Sequence, residues 1–573
     1  MKKAYLLILI MLTILYVKGQ EIRAGSWNIE KPNISGEYIS LFTDRNTYCV
    51  TEKIKFTAEY STVKELDSIT LSKILYVELI RWNGAKLVQI KLELTRPGIS
   101  SSIEIPKNLP SGTYYLRAYT KWMRNFSVNE YAYQQVKIVN PFKADTDKGP
   151  TENSISINKE SFITTEEKRT KGVQCTLNKK EFSTGEIVEV DLQLNNTNPS
   201  KSGRYCITVV KVGAIDTTFN SLKLYSTGPE TINTDIEYLP EIRGNTISGK
   251  VVNMDTKLPV KDILISLSEP RNGEYYSLYK TNDSGRFVFS LSGLKQLQYD
   301  FYIQAENKEN TTLEILVDNG FCNEPVHLPF VIFSLTDNEK DLVKDLAVNM
   351  QLSNVFQNDS FPDTNNFTQQ PIVFFGSKCA EYFTDKYIEL ANFGEFIDEI
   401  VVETSLAYDK EKALSIWMNK ENPSIFPPLI LMDNIQVDNN EKLLKIPSNR
   451  IEKVNVINKD YAIVDSKYAG IISIYSKNKD FAGLDLNRSS LFFSYQLLTA
   501  SNFDYNYKKP SEERIPDRRN ILYWNPDIQL STENKSRITF YNADDTGEYV
   551  ILVRNKNVKD GKYIYGTSYF LVK

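Results

Sequence analysis

The chain has 573 residues, one histidine and a formal net charge of −4, from 68 Lys and Arg against 72 Asp and Glu. Charge this balanced, without long single-sign blocks, excludes the basic stripe of a nucleic-acid binder. A single His excludes a multi-histidine metal site and leaves little scope for a Ser-His-Asp triad, and the length exceeds one core, implying roughly three to five domains.

The first predicted element is a secretory signal peptide over 1–19. Lys2 and Lys3 precede an apolar run, Leu6 to Val17, and Gly19 is a small residue before Gln20. The run is short of the roughly 20 residues that span a bilayer. No later segment is apolar enough to cross as a helix, so the mature chain is expected to be exported, without a transmembrane segment, in the periplasm or at the outer membrane.

Residues 20–142 read as a β-sandwich. Ile54, Phe56 and Ala58 alternate along one strand face. Ile74 to Arg81 and Lys86 to Leu94 flank Asn83-Gly84, a strong hairpin signal. Leu109-Pro110-Ser111-Gly112 turns into Thr113 to Thr120. The runs "TDRNTYCVTEKIKF", "YVELI" and "LPSGTYYLRAYTKWMRNF" resemble the second macroglobulin domain of the α2-macroglobulin superfamily, in the form found in Bacteroidetes-type envelope proteins. The family's usual Gly before the Glu of the second strand is replaced here by Thr51. Tyr115 and Tyr119 share a strand face with Arg117, so their rings can pack while their tips reach water or partners.

Residues 143–169 are polar and aperiodic and are expected to be a linker. Leu177 to Leu194 repeats the earlier logic, a polar turn at Gly185-Glu186 entering a strand with Ile187, Val188, Val190 and Leu192. It predicts a second macroglobulin-like sandwich over 170–240. "ISGKVVNMDTKLPVKDILISLS" and "YKTNDSGRFVFSL" resemble a carboxypeptidase regulatory-like sandwich over 245–318, a module that carries no peptidase chemistry.

Residues 319–371 are expected to be a helix and a connector. Thr336 and Glu339 form a capping box, and Leu342, Val343, Leu346, Ala347 and Met350 make one apolar face. Ser353 to Gln370 is polar. A second helix is predicted from Phe393 to Val402. Pro428 to Lys477, with "PLILMDNIQVDN" and "AGIISIYSK", resembles the plug domain of TonB-dependent outer-membrane receptors, so 372–478 is expected to be a small α/β plug-like unit. In a receptor the plug comes first and a large barrel follows; here only residues 478–573 follow. The tail, 479–573, is expected to be a separate β domain. Tyr523, Trp524 and Pro526 lead one strand, Glu533-Asn534-Lys535 turns, and Ile538 and Phe540 start its partner.

The expected fold is therefore mainly β: an array of Ig-like or macroglobulin-like β-sandwiches with one small α/β plug-like domain. Candidate chemistry is sparse. His327 sits among apolar residues in "EPVHLPF". Cys379 has Lys378 beside it and no His nearby. Asp544-Asp545 before Gly547 has oxygen ligands for Ca²⁺, though a polar turn explains it better. Asp433 reads as a turn residue. Of the five cysteines, Cys175 and Cys206 can bridge two strands, or all five can be buried thiols. The superfamily's thioester motif is absent. Tyr114, Tyr115, Tyr119, Trp122, Phe126, Tyr131 and Tyr133 cluster, and any left exposed offer a partner or glycan surface. Glycan binding has no other support. No catalytic, cofactor-binding or metal-binding residues are assigned, and no cofactor.

Three readings follow. The first is a non-catalytic cell-envelope interaction or assembly module, its partner a protein, an outer-membrane barrel among the candidates. The alternative is an exported macroglobulin-like protease-binding protein without a thioester. A hydrolase has only scattered carboxylates behind it.

Overall fold

Alternating apolar residues and Gly- or Asn-led turns produce 33 strands among the described residues of the computed structural model. It describes residues 36–62, 71–94, 98–149, 168–195, 202–215, 238–270, 275–292, 294, 298–306, 312–356, 378–409, 412–419, 426–437, 439–496, 517–555 and 562–573. The predicted signal peptide and most of the predicted linker and connector lie outside these residues.

The N-terminal sandwich has the expected strands. A three-stranded sheet, Glu37–Thr43, Lys53–Thr62 and Gly98–Glu104, faces a five-stranded one containing Ile74–Ile80, Lys86–Glu93 and Gly112–Tyr119. Ile54, Phe56 and Ala58 point into the shared core. The Asn83-Gly84 hairpin forms, with Gly84 at φ +78°. The segment predicted as the start of a connector folds back on this sandwich. Cys322, Val326 and Leu328 enter its core, and Leu328 N donates to Trp82 O at 2.6 Å.

The chain order of the remaining units differs from expectation. Strands from 168–211 and 521–572 build one sandwich, not two. One sheet runs Val173–Leu177, Ile187–Leu194, Ser536–Tyr541. The other places Ser202–Lys211 between Ile521–Ser531 and Gly547–Asn555, with Lys562–Val572 beyond. Neither half closes a core alone: Val188, Val190 and Leu192 pack with Ile538, Phe540, Ile551 and Phe570. The expected ladder between 521–531 and 536–541 does not form, because the chain crosses at Glu533-Asn534-Lys535 from one sheet to the other, where Ser536–Tyr541 pairs with Ile187–Leu194.

Everything between is an insertion into this split sandwich. A third sandwich uses Thr246–Asn253, Leu264–Ser268, Tyr276–Lys280, Arg286–Ser290, Gln298–Ala305 and Leu313–Val317. It borrows a strand from the predicted tail, since Ser490–Gln496 pairs antiparallel with Gln298–Ala305. Its Asn282–Gly285 turn is as read, with Gly285 at φ +69° and Asn282 Oδ1 accepting from Arg286 N at 2.8 Å.

The α/β unit has a mixed five-stranded sheet ordered Ala380–Phe383, Ile451–Ile457, Ile471–Ser476, Leu429–Met432, Ile435–Gln436. Helices α2 (Phe393–Glu399) and α3 (Asn440–Leu444) and the strand Leu414–Met418 pack on one face of it to form the core; helix α1 (Asp337–Phe356) belongs elsewhere and is described below. The unbroken apolar run of "PLILM" has a simple cause. Ile430 and Met432 pack in the helix-side core, while Leu429 and Leu431 pack against Leu264 and Leu278 of the third sandwich. A strand covered on both faces is apolar throughout.

Candidate functional site

The residues singled out from sequence do not converge. His327 is exposed between buried Val326 and Leu328. Cys379 is half-buried where the α/β unit meets the third sandwich. Asp433 is buried at φ +46° beside Asn434 at φ +65°, the two central residues of a two-residue hairpin. Its carboxylate accepts from Ser476 N at 2.8 Å, Ser476 Oγ at 2.5 Å and Phe481 N at 2.9 Å. Asp544 and Asp545 are likewise committed. Asp544 Oδ2 accepts from Asp517 N at 2.7 Å, and Asp545 Oδ2 from Asn349 Nδ2 at 2.5 Å.

The aromatic cluster is core rather than surface. Tyr114, Tyr115, Tyr119, Trp122, Tyr131 and Tyr133 are buried, and Phe126 is half-buried. The tips of Tyr115 and Tyr119 reach backbone instead of water or partners: Tyr115 Oη donates to Pro329 O at 2.5 Å, and Tyr119 Oη accepts from Cys322 N at 2.7 Å. Arg117 is buried with them and donates to Glu78. All five cysteines are free; Cys175 and Cys206 stand on strands of opposite sheets and in different surroundings.

What does converge is the "TDRNTYCVTE" stretch, α1 and the tail. Helix α1 begins with the predicted capping box: Glu339 N donates to Thr336 Oγ1 at 3.3 Å and Thr336 N to Glu339 Oε2 at 2.9 Å. Its buried face, Leu342, Leu346, Ala347 and Met350, packs with Phe42 and Cys49 of the first sandwich and Val210, Trp524 and Val550 of the split one. A polar chain runs beside this apolar seam. Arg45 Nη2 donates to Glu52 Oε1 at 2.7 Å, and Asn520 Nδ2 donates to the same oxygen at 2.7 Å. Asn349 Nδ2 then bridges Asn520 Oδ1 at 3.0 Å and Asp545. Burial pushes the Asp44 carboxyl up against the pull of Arg45, and burial also pushes the Cys49 thiol up to about 12. A thiol held that high is unreactive at neutral pH.

Bonds to backbone carbonyls close the seam. Asn46 N and Thr47 N donate to Ala214 O at 2.9 and 3.1 Å, and Arg554 Nη2 donates to Thr43 O at 2.7 Å. Thr51, in the position where the resembled family carries Gly, has φ +69°. Its hydroxyl contacts Met350 Sδ at 3.2 Å. The stretch that reads as a family signature is therefore a joint between units. Only its pairing with residues far along the chain was hidden in the sequence.

A second feature was also missed. Around α2, Tyr387, Ile388, Val402 and Tyr408 are exposed, Ile388 at 76% and Val402 at 74%. The sequence predicts a helix running from Phe393 to Val402. The helix instead ends at Glu399, with Ile400 as its C-cap, which turns Val402 outward.

No family model matches the chain, and no curated protein matches it. Among solved structures it is similar to Escherichia coli alpha-2-macroglobulin activated by porcine elastase, at 9% identity and TM-score 0.23, covering 94% of this chain and 44% of that one. The native conformation of E. coli alpha-2-macroglobulin gives 9% identity and TM-score 0.23, covering 95% and 40%. The D0-D1 domain of Intimin gives 8% identity and TM-score 0.14, covering 49% and 98%. This chain spans less than half the length of the macroglobulin chains it matches. By its own strands, the molecule is a mainly β, multi-domain array of sandwiches with one α/β unit.

Proposed function

We propose that this protein is an exported, non-catalytic cell-envelope module of macroglobulin-type sandwiches that holds a partner protein through its plug-like α/β unit, in association with an outer-membrane complex. The observation that carries this reading is the set Tyr387, Ile388, Val402 and Tyr408, large apolar side chains exposed on a unit that the rest of the molecule holds by buried contacts. Exposed aromatic and aliphatic groups on a fixed support are the material of interface hot spots. The support is fixed by apolar packing of Leu429, Leu431 and Ile471 on Leu264 and Leu278, and by Asn434 Nδ2 donating to Tyr275 O at 2.7 Å. A non-catalytic role is supported by Asp433, Asp544 and Asp545, whose carboxylates are engaged in hydrogen bonds that join separate segments of the chain.

The test is co-purification from native envelopes in mild detergent. The wild-type chain is expected to retain a protein that the Ile388→Asp/Val402→Asp variant loses. Purification of both as unaccompanied monomers would count against the proposal. The alternative, a protease-binding protein of macroglobulin type, is separated by protease challenge: inhibition with cleavage in 141–169 favours it, and absence of inhibition removes it.

A further inference from the structure

Between the N-terminal and third sandwiches lies a cavity of about 290 Å³, at the small end of the range for ligand pockets. Two lysines line it, Lys91 from the first sandwich and Lys121 from the turn after the strand Gly112–Tyr119. Lys91 Nζ donates to Tyr495 Oη at 3.1 Å, while Tyr495 Oη donates to Asn245 Oδ1. Lys121 Nζ donates to Thr246 Oγ1 and to Ser248 Oγ, both at 3.3 Å.

The nearby carboxylates are spent on other groups. Glu241 accepts from Thr246 Oγ1 at 2.8 Å and from Tyr76 Oη at 2.9 Å. Asp318 accepts from Ser248 Oγ at 2.6 Å and from both Arg286 amino nitrogens, at 3.1 and 2.6 Å. Among the described residues, each ammonium is thus bonded to hydroxyls; Glu241 and Asp318 stand one hydroxyl beyond Lys121, and the hydroxyl beside Lys91 leads to the Asn245 amide. A third cation, Arg124, spends its Nη1 on backbone, Gly320 O at 2.9 Å and Asn319 O at 3.3 Å, both in the cavity wall. Burial pulls both lysines below their ordinary value, Lys91 to about 8, against the opposing pull of Glu241 on both and of Asp318 on Lys121, with neighbouring cations adding to the fall. Desolvated ammonium groups without a carboxylate are costly unless an anion joins them.

The rest of the wall is apolar and aromatic: Ile247, Phe321, Phe493 and the Tyr495 ring, whose centroid lies 4.4 Å from Lys91 Nζ. Inorganic anions would leave that surface unused, and neutral ligands would leave the ammonium groups unpaired. We propose that this cavity binds a small organic carboxylate with an apolar or aromatic body, its carboxylate held by Lys91 and Lys121 and its body against Phe321, Phe493 and Tyr495. The site is separate from the α/β surface and does not depend on partner binding.

The probe is 3-phenylpropionate, titrated calorimetrically into the full mature chain, with 3-phenylpropionamide and inorganic phosphate as the other arms. Saturable binding of the acid is expected, with the amide and phosphate each at least tenfold weaker. Lys91→Met and Lys121→Met are each expected to weaken the acid about tenfold or more, while Lys257→Met, on an exposed lysine paired with Glu314, leaves it unchanged. The wild-type arms stand even if a variant fails to fold. No binding of the acid, equal binding of the amide, or equal binding of phosphate would each overturn the proposal.

Discussion

Thr51 holds a backbone conformation that a β-branched residue rarely adopts, φ +69°, at the turn between Thr47–Cys49 and Lys53–Thr62. Left-handed geometry costs an L-residue roughly 1–2 kcal/mol, and glycine carries a folding penalty of about 0.5–1 kcal/mol instead. Thr51→Gly is therefore expected to be neutral or slightly stabilising in urea unfolding, whereas a loss above about 1 kcal/mol would show that the contact with Met350 dominates. Lys91 gives a pH test. Burial first, with Lys121 and Arg124 adding and Glu241 opposing, lowers it from 10.5 to about 8. The unfolded chain keeps that proton up to the ordinary value, so stability rises with pH between about 8 and 10.5, and the burial penalty is complete below 8. Tyr76 and Tyr495, raised well above 10 by burial, titrate in wild type and variant alike. Measured from pH 7 to 9.5, the stability of wild type relative to Lys91→Met should climb; a flat difference would contradict the assignment. Residue pairs were legible where partners are close in sequence, as with Thr336 and Glu339. The bond from Asn520 to Glu52 spans 468 residues and leaves no local pattern.

At the scale of elements, α1 joins the first sandwich to the split one. Its capping box and apolar stripe were plain in the sequence because both are periodic within the helix. What the stripe covers was not, since its partners come from two distant parts of the chain, Phe42 and Cys49 on one side and Val210, Trp524 and Val550 on the other. Two substitutions separate helix formation from docking. Thr336→Ala removes the cap and should cost about 1 kcal/mol. Leu346→Ala opens the seam and should cost about 2–5 kcal/mol, with the loss seen in one cooperative transition by both near-UV and far-UV circular dichroism. Equal small costs would mean the helix is peripheral. The strand Leu429–Met432 teaches a related lesson: its apolar run announced a strand, while its two-sided burial became visible only with Leu264 and Leu278 in place. The 521–541 segment misled for the opposite reason. Two good strands joined by a polar turn suggest a hairpin, but here the turn crosses between sheets.

At the scale of the molecule, the insertion is the main difference from a string of modules. The split sandwich needs both 168–211 and 521–572, and Ser490–Gln496 belongs to the third sandwich. Sequence similarity between neighbouring strands cannot reveal a closure across more than 300 residues, so separate units over 170–240 and 479–573 were the natural reading. Removal of residues 517–573 should therefore unfold the split sandwich as well, with loss of the cooperative transition; an unchanged transition for the remaining chain would contradict the interlock. Such an array presents the α/β unit at a fixed place, which is what an interaction module requires. The most direct test places a photo-cross-linking amino acid at Ile388 or Val402, with Lys257 as the control site, in cells that express the full chain. A discrete adduct with one envelope protein from Ile388 and Val402, absent from Lys257, is the predicted result. No adduct from either position, or the same adducts from all three, would contradict the account.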